Sequence, residues 1–191
     1  MRTKDFDEEE ILRKAIAIFW EKGYNATSLY DLIDGLGIGR SSIYHAFGDK
    51  HTLFVKALEL YQQNGIEKIR AIINDAPSVK EGIGNLLQSV VKDVLSNDCP
   101  KGCFKVNSEV EVASSDELIK KMVSDDDLLI EKLLFEAIKR AQKEGAISTS
   151  KNPMALARFI CNSVTGMRVY AKFRSDKQYF DDIIATTLSL L

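Results

Sequence analysis

Apolar residues recur at intervals of three and four along nearly the whole chain, and this spacing constrains the fold more than any other feature. It is the period of a helix with one buried face, whereas a half-buried strand alternates at every second residue. Only 3 prolines and 11 glycines interrupt the 191 residues. The pattern therefore predicts an all-α protein, and no internal repeat is visible.

Capping residues predict where the first helices begin and end. Asp7 precedes the first apolar stripe and Gly23 follows it, as is typical of an N-cap and of a left-handed residue at a helix end. Thr27 is the predicted cap of a short second helix that ends at Gly37, where the chain must turn sharply. A third helix is predicted over residues 40–47.

A long fourth helix is predicted from Lys50, and Pro77 prevents it from continuing further. Its apolar stripe is long enough to connect two parts of the molecule. Later helix starts are predicted at Ser78, Ser114, Ser124, Asn152 and Asp176, which gives roughly nine or ten helices.

The composition limits the classes of protein that fit the chain. Its formal net charge is -2, so binding to nucleic acid would have to come from a local patch rather than from the whole molecule. No apolar run reaches the roughly 18 residues of a membrane span, and the start lacks the apolar stretch of a secretory signal. The odd number of cysteines, 3 in total, forms no disulfide framework. We therefore expect a soluble, cytoplasmic protein.

One short segment has the composition of a DNA-contacting surface. Residues 35–48 contain no Asp or Glu, and polar or basic side chains alternate there with apolar ones. Duplex DNA requires cations for phosphates and hydrogen-bond donors for base edges, with little carboxylate on the docking face. Two short helices joined by a tight turn are the form in which many proteins place a helix in the major groove. The segment therefore predicts a helix-turn-helix.

The segment 23–54, GYNATSLYDLIDGLGIGRSSIYHAFGDKHTLF, resembles without a gap the DNA-binding signature of the TetR family of transcriptional regulators. Ile33 and Gly39 depart from the usual pattern, which has a small residue and a capping Ser or Thr at these positions. The matching positions are Gly23, Thr27, Ser28, Asp31, Leu32, Gly37, Ile38, Ile43, Tyr44, Phe47, Lys50, Leu53 and Phe54.

The resemblance implies an N-terminal three-helix DNA-binding domain over residues 1–50 and a larger helical ligand-binding and dimerisation domain over residues 51–191. The third helix would enter the major groove, where Arg40 is the candidate for a bidentate contact to guanine. Tyr44 and Lys50 match positions that contact phosphates in the family. The predicted DNA contacts are Thr27, Ser28, Arg40, Ser41, Ser42, Tyr44, His45 and Lys50.

The resemblance also implies a homodimer that binds a palindromic operator as a repressor and is released by a small, largely apolar effector. In the family the last two long helices pair with those of the partner copy. An alternative from another class is a DNA-bound interaction protein whose C-terminal half binds a protein instead of a small molecule; a closed apolar cavity of about 300 Å³ or more would favour the effector. The predicted dimer contacts are Phe159, Val164, Met167, Tyr170, Phe180, Ile184 and Leu188.

The cysteines and histidines provide no metal or catalytic site. Cys99 and Cys103 form a CxxxC pair without the further ligands that zinc needs. With His45 and His51 as the only histidines, no catalytic constellation is present, so we predict neither an enzyme nor a cofactor. The context of Cys103 resembles the subgroup of the N-ethylmaleimide-responsive repressor, in which such a cysteine reacts with electrophiles. Cys103 is therefore either a sensing thiol at a helix start or a small packed side chain.

Overall fold

A computed structural model of the chain describes residues 6–96, 100 and 102–191, and the regular secondary structure of these residues is entirely helical. The all-α prediction is confirmed. The helices are α1 (Glu8–Lys22), α2 (Leu29–Leu36), α3 (Arg40–Phe47), α4 (Lys50–Asp75), α5 (Val79–Leu95), α6 (Phe104–Glu111), α7 (Glu117–Lys143), α8 (Pro153–Tyr170) and α9 (Lys177–Ser189).

Local capping explains the boundaries of α1 and α2. The Asp7 carboxylate accepts the N–H of Glu9 at 2.9 Å. Ser28, rather than Thr27, caps α2: its hydroxyl oxygen accepts the N–H of Asp31 at 3.2 Å, and the Asp31 carboxylate accepts the N–H of Ser28 at 2.8 Å. The predicted cap was therefore wrong by one residue, because this reciprocal pair requires an acidic residue three positions after the capping Ser.

The helix α3 begins and ends where the sequence predicts. Gly37, with φ 69°, turns the chain after α2, and a left-handed backbone of this kind favours glycine. Gly39 then precedes α3 without a side-chain hydrogen bond. The close approach of α1 and α2 is at Gly35, where a Cβ would lie 2.6 Å from the Cδ1 of Ile18. The branched side chain of Ile33 is only partly buried against the apolar core that includes Phe19 and Leu32.

The chain divides into two compact units, and α4 and α7 each run through both of them. Unit 1 comprises the chain up to Gln63 together with Cys103–Val123. Its core contains Phe54, whose ring meets Phe19 of α1 at 5.1 Å and Phe104 of α6 at 5.6 Å between centroids. Unit 1 therefore includes α6 and the start of α7, while a DNA-binding domain over residues 1–50 remains a prediction.

Unit 2 comprises Asn64–Gly102 and Ser124–Leu191. The helix α5 packs against α8 and α9. Fully buried side chains of all three helices and of α7 meet in one apolar core, and Ile83, Ile138, Ile160 and Phe180 are among them. Within the described part of the chain, none of the helices combines the length and apolar character that crossing a membrane requires.

The start of α7 differs from the helix starts that the sequence predicted. The Asp116 carboxylate accepts the N–H groups of Leu118 and Ile119 at 3.0 and 3.1 Å, and this bond pair caps the N-terminus. The cap is therefore Asp116 rather than the predicted Ser114, and Ser124 lies inside α7, so both predicted starts were wrong. The Ser-x-x-Asp spacing is also compatible with the exposed face of a continuing helix.

Candidate nucleic-acid interface

The helix α3 presents one exposed polar stripe. Arg40, Ser41, Tyr44 and His45 are exposed, whereas Ile43 is buried in the core of unit 1. Positions separated by three or four residues share one face of a helix. The same periodicity that buries the apolar side of α3 therefore brings these four predicted contacts to its outer side, while Ser42 lies half-buried at the edge.

Arg40 and Tyr44 contact each other on this stripe. The guanidinium carbon of Arg40 lies 5.4 Å from the centroid of the Tyr44 ring, one helical turn away. A guanidinium over an aromatic face is attracted by the ring quadrupole. The contact restricts the freedom of this long side chain, and a side chain that is already ordered loses less entropy when it binds a partner.

The first carboxylate that follows α3 in the sequence is held at a helix start. Asp49 accepts the N–H of Thr52 at 2.6 Å and so caps α4. This backbone bond is the main reason that the pKa of Asp49 lies below its ordinary value of 3.8. Its negative charge is thereby directed to the positive end of the α4 dipole, and α3 itself carries no acid.

The hydroxyl groups of Thr27 and Ser28 both form hydrogen bonds within the chain. Thr27 is buried, and its hydroxyl donates to the carbonyl of Gly23 at 2.5 Å, so its side chain offers no surface to DNA. Ser28 is exposed, and its hydroxyl donates to the Asp31 carboxylate at 2.6 Å. Lys22 and Ser28 together hold the pKa of Asp31 well below its usual range.

Lys50 ties the turn after α1 to the start of α4. Its ammonium donates to the carbonyl oxygens of Tyr24 and Thr27, each at 2.9 Å, and lies 4.4 Å from the centroid of the Tyr24 ring. A lysine has three N–H donors. The two carbonyls use two of these donors, so the predicted phosphate contact would require the third.

Tyr30 is a further candidate contact that the sequence analysis did not single out. This residue is 76% exposed on the first turn of α2, beside the cap Ser28. The signal was present, because Tyr30 is an aromatic residue off the apolar stripe of Leu29, Leu32 and Leu36. Its hydroxyl is suited to a phosphate oxygen.

The predicted dimer contacts differ in their exposure within one chain. Met167, Phe180 and Ile184 are buried in the core of unit 2, so they support the outer surface rather than form it. Val164 and Leu188 pack partly against the same core. Phe159 and Tyr170 are exposed on α8, and of the seven predicted contacts these two offer the most surface to a partner.

A groove of about 300 Å³ runs along the outer side of α8 and α9. Phe159 lies on the α8 side of the groove and Tyr179 on the α9 side. Tyr179 also belongs to an aromatic cluster, in which the Tyr170 ring is 5.1 Å from Phe173 and 5.4 Å from Tyr179 between centroids. The sequence missed the polar members of this groove because they break its apolar pattern. The lining residues are Phe159, Ser163, Tyr179, Asp182, Ile183, Thr186 and Thr187.

Cys103 is the N-cap of α6, as the sequence predicted, and it is only 1% exposed. Its sulfur lies 3.4 Å from the hydroxyl of Tyr61 in the core of unit 1. Cys99, the other half of the CxxxC pair, falls outside the described residues. Over residues 6–96, 100 and 102–191, no group of three or more His, Cys, Asp or Glu side chains is arranged to hold a metal ion.

Comparisons of the sequence match both halves of the chain. The profile of the bacterial regulatory proteins of the tetR family matches residues 11–57, and the profile of the tetracyclin repressor-like C-terminal domain matches residues 79–187. The uncharacterized HTH-type transcriptional regulator YezE of Bacillus subtilis (strain 168) is 30% identical over 100% of this chain and 98% of its own length. The HTH-type transcriptional repressor ComR of Escherichia coli (strain K12) is 28% identical over 99% of this chain and 90% of its own length.

Solved structures share the fold over nearly the full length. A cysteine mutant of the TetR family regulator CifR, in complex with 26 bp double-strand operator DNA, superposes with a TM-score of 0.88 at 28% identity over 98% of each chain. The reduced form of Escherichia coli NemR superposes with a TM-score of 0.84 over 95% of each chain; at 17% identity it shows the fold alone. The chain thus belongs to the TetR family of transcriptional regulators, which bind DNA and are not enzymes.

Proposed function

We propose that the protein is a homodimeric repressor that reads a palindromic operator with α3 of each copy and leaves it when a small effector binds. The observation that carries the proposal is the exposed, carboxylate-free stripe of Arg40, Ser41, Tyr44 and His45 on the second helix of a helix-turn-helix. The operator complex of the related CifR supports the same use of the fold.

Arg40 is the proposed base reader. Its guanidinium can donate two hydrogen bonds to the O6 and N7 of a guanine, a pairing that contributes about 1 to 3 kcal/mol of discrimination against other bases. Ser41 and His45 lie beside it and can reach neighbouring base edges or phosphates. Tyr44 supports the guanidinium through its ring and offers its hydroxyl to a phosphate.

The test compares Arg40→Ala with Arg13→Ala, an exposed arginine of α1 that is paired with Glu9 in its own helix. Both variants lose one positive charge from unit 1. We expect Arg40→Ala to weaken binding to a selected operator by about tenfold or more while binding to random duplex changes little. Arg13→Ala should bind the operator as the wild type does. Equal losses of Arg40→Ala on every duplex would exclude base reading by Arg40.

The groove along α8 and α9 is the proposed seat of the partner copy. An isologous contact between two copies relates them by a two-fold axis, so the two reading helices meet two inverted half-sites. The exposed aromatic residues Phe159, Tyr170 and Phe173 are of the type that accumulates in protein interfaces. Covering them removes apolar surface from water, which is the main favourable contribution to association.

Release by an effector requires a ligand that binds one arrangement of the dimer more tightly than the other. Such a ligand shifts the population of DNA-binding molecules by its difference in affinity. The helices α4 and α7 each run through both units, so each provides a continuous path between them. A screen of apolar small molecules for release of a labelled operator tests this step, and a protein that releases or stabilises the complex instead would support partner binding.

A thiol reaction at Cys103 is a proposed route of release. A maleimide would react by addition: the sulfur of the thiolate forms a bond to one alkene carbon, and the other alkene carbon takes up the proton. Because Cys103 is buried, the reaction needs local opening around α6, which links modification directly to a change of structure. Neither Cys103 nor Cys161 forms a disulfide, so Cys161 serves as the internal control.

We expect a maleimide to release the operator from the wild type and from Cys161→Ser, but not from Cys103→Ser. Mass spectrometry of the treated proteins identifies the modified residue in each case. Release from Cys103→Ser at the wild-type rate would exclude this thiol as the sensor and leave the DNA-binding proposal intact.

A further inference from the structure

The C-terminal end of α6 holds the turn that follows α1. The carboxylate of Glu111 accepts two backbone N–H groups, that of Tyr24 at 3.0 Å and that of Asn25 at 2.7 Å. Each carboxylate oxygen takes one of them. Hydrogen bonds to an ionised acceptor are stronger than neutral ones, and this pair joins residues 87 and 86 positions apart in the sequence.

The turn is shaped to receive this carboxylate. Gly23 has φ +82°, and a Cβ at this position would lie 2.7 Å from Oε2 of Glu111. A side chain there would therefore displace the carboxylate as well as strain the backbone. Successive backbone N–H groups that point to one anion form a nest. In this chain the anion of the nest is supplied by α6.

The same turn is also held by α4. Lys50 binds the carbonyl oxygens of Tyr24 and Thr27, while the Thr27 hydroxyl binds the carbonyl of Gly23. The N–H groups of Tyr24 and Asn25 thus bind to α6, and the carbonyls of Tyr24 and Thr27 bind to α4. Because the turn leads directly into Ser28 and α2, its position determines where the helix-turn-helix begins.

The N-terminal end of α6 lies at Cys103. Its eight residues make a rod of about 12 Å, with the Cys103 cap beside Tyr61 at one end and Glu111 at the other. Phe104 anchors the rod through its edge contact with Tyr61 at 5.5 Å between centroids. Just beyond α6, Asp116 contacts His51 of α4 at 2.6 Å. Every one of these contacts lies within unit 1.

We infer that Glu111 is a positioning residue for operator binding, through which α6 fixes the helix-turn-helix in its DNA-reading position. A displacement of α6 pulls the carboxylate from the N–H groups of Tyr24 and Asn25, and the turn then loses its restraint on one side. The inference rests on the proposed reading of DNA by α3. According to this inference, α6 acts directly on the turn that precedes the helix-turn-helix, and this action does not depend on α4.

The test substitutes Glu111→Gln and uses Glu59→Gln as the matched control. Glutamine keeps the size of the side chain, but its amide group opposes one N–H donor with another donor, so one of the two bonds is lost. Glu59 is exposed on α4 in the same unit, and its substitution removes the same charge. Operator affinity is measured per active molecule by stoichiometric titration, so that an unfolded fraction does not count as weak binding.

We expect Glu111→Gln to bind the operator about tenfold more weakly than Glu59→Gln, the effect of one charge-assisted hydrogen bond. Hydrogen exchange at the Tyr24 and Asn25 amides should accelerate by a similar factor, whereas exchange in the core of unit 2 stays unchanged. Glu111→Asp keeps the charge on a shorter side chain and should fall between the two. If Glu111→Gln does not fold, Glu111→Asp provides the same comparison.

Faster exchange at Tyr24 and Asn25 with an operator affinity equal to that of Glu59→Gln would overturn the inference, because the turn would then be free to move without consequence for DNA. Unchanged exchange would overturn it as well, since the hydrogen bonds would not restrain the turn. Failure of the proposed function has a different signature: the wild type and both variants would then bind all duplexes alike.

Discussion

The proposed dimer face contains a position where one substitution separates folding from association. Gly166 lies half-buried in α8, and a Cβ there would meet no heavy atom within 4 Å apart from its chain neighbours and the backbone of its own helix. Gly65 in α4 has the same open surroundings. Glutamate is a better helix former than glycine by about 0.5 to 1 kcal/mol. A single chain should therefore tolerate Gly166→Glu and Gly65→Glu equally well.

Association should distinguish the two variants. Gly166 follows Phe159 and Ser163 and precedes Tyr170 at spacings of three and four, so it shares their side of the helix. In the proposed dimer, Gly166→Glu places a carboxylate from each copy under the partner. Each unpaired buried charge costs several kcal/mol, and even a total of about 4 kcal/mol raises the dissociation constant roughly a thousandfold.

Analytical ultracentrifugation over a dilution series measures this difference, with circular dichroism as the check on folding. We expect the wild type and Gly65→Glu to be dimers and Gly166→Glu to be a folded monomer that binds one half-site weakly. A Gly166→Glu dimer as tight as that of Gly65→Glu would refute the α8 and α9 interface. An unfolded Gly166→Glu chain would refute the reasoning that this position is open.

Two further expectations concern stability. Thr27→Val removes the hydroxyl that binds the Gly23 carbonyl and should lower the free energy of unfolding in urea by about 1 kcal/mol; an unchanged value would show that this bond contributes nothing net. The pKa values of Asp49 and Asp116 lie below the ordinary 3.8, chiefly because backbone N–H groups at the starts of α4 and α7 bind the ionised forms. Between these lowered pKa values and 3.8, the unfolded chain therefore binds more protons than the folded one. The free energy of unfolding should then fall as the pH drops below 3.8 towards the folded pKa values. This fall should be less steep for Asp116→Asn than for the wild type.

The helices were predictable because their ends depend on residues close in sequence. Asn152 accepts the N–H of Met154 at 2.8 Å, and Asp176 accepts that of Gln178 at 3.0 Å, so a cap and its partner occur in one short window. The errors at Thr27 and Ser124 are of the same local kind. In each case a side chain suited to a cap has another use, inside the core or on a continuing helix.

The candidate site was predictable only where one helix contains it. The exposed stripe on α3 follows from its own periodicity, whereas the bonds from Glu111 to the turn after α1 join distant segments and leave no periodic signal. The predicted dimer contacts show a second limit. Met167 and Phe180 are apolar and regularly spaced, but a core and an interface bury the same residue types, so the sequence did not separate the buried ones from the exposed Tyr170.

Selection of bound duplexes from a random pool, combined with the mass of the resulting complex, tests most directly whether α3 reads DNA twice. We expect an enriched sequence with two inverted half-sites, occupied by an even number of chains, and a guanine in each half-site whose preference disappears in Arg40→Ala. Binding by single chains with no enriched duplex, even in dilute buffer, would contradict the proposal that a symmetric pair of α3 helices recognises an operator.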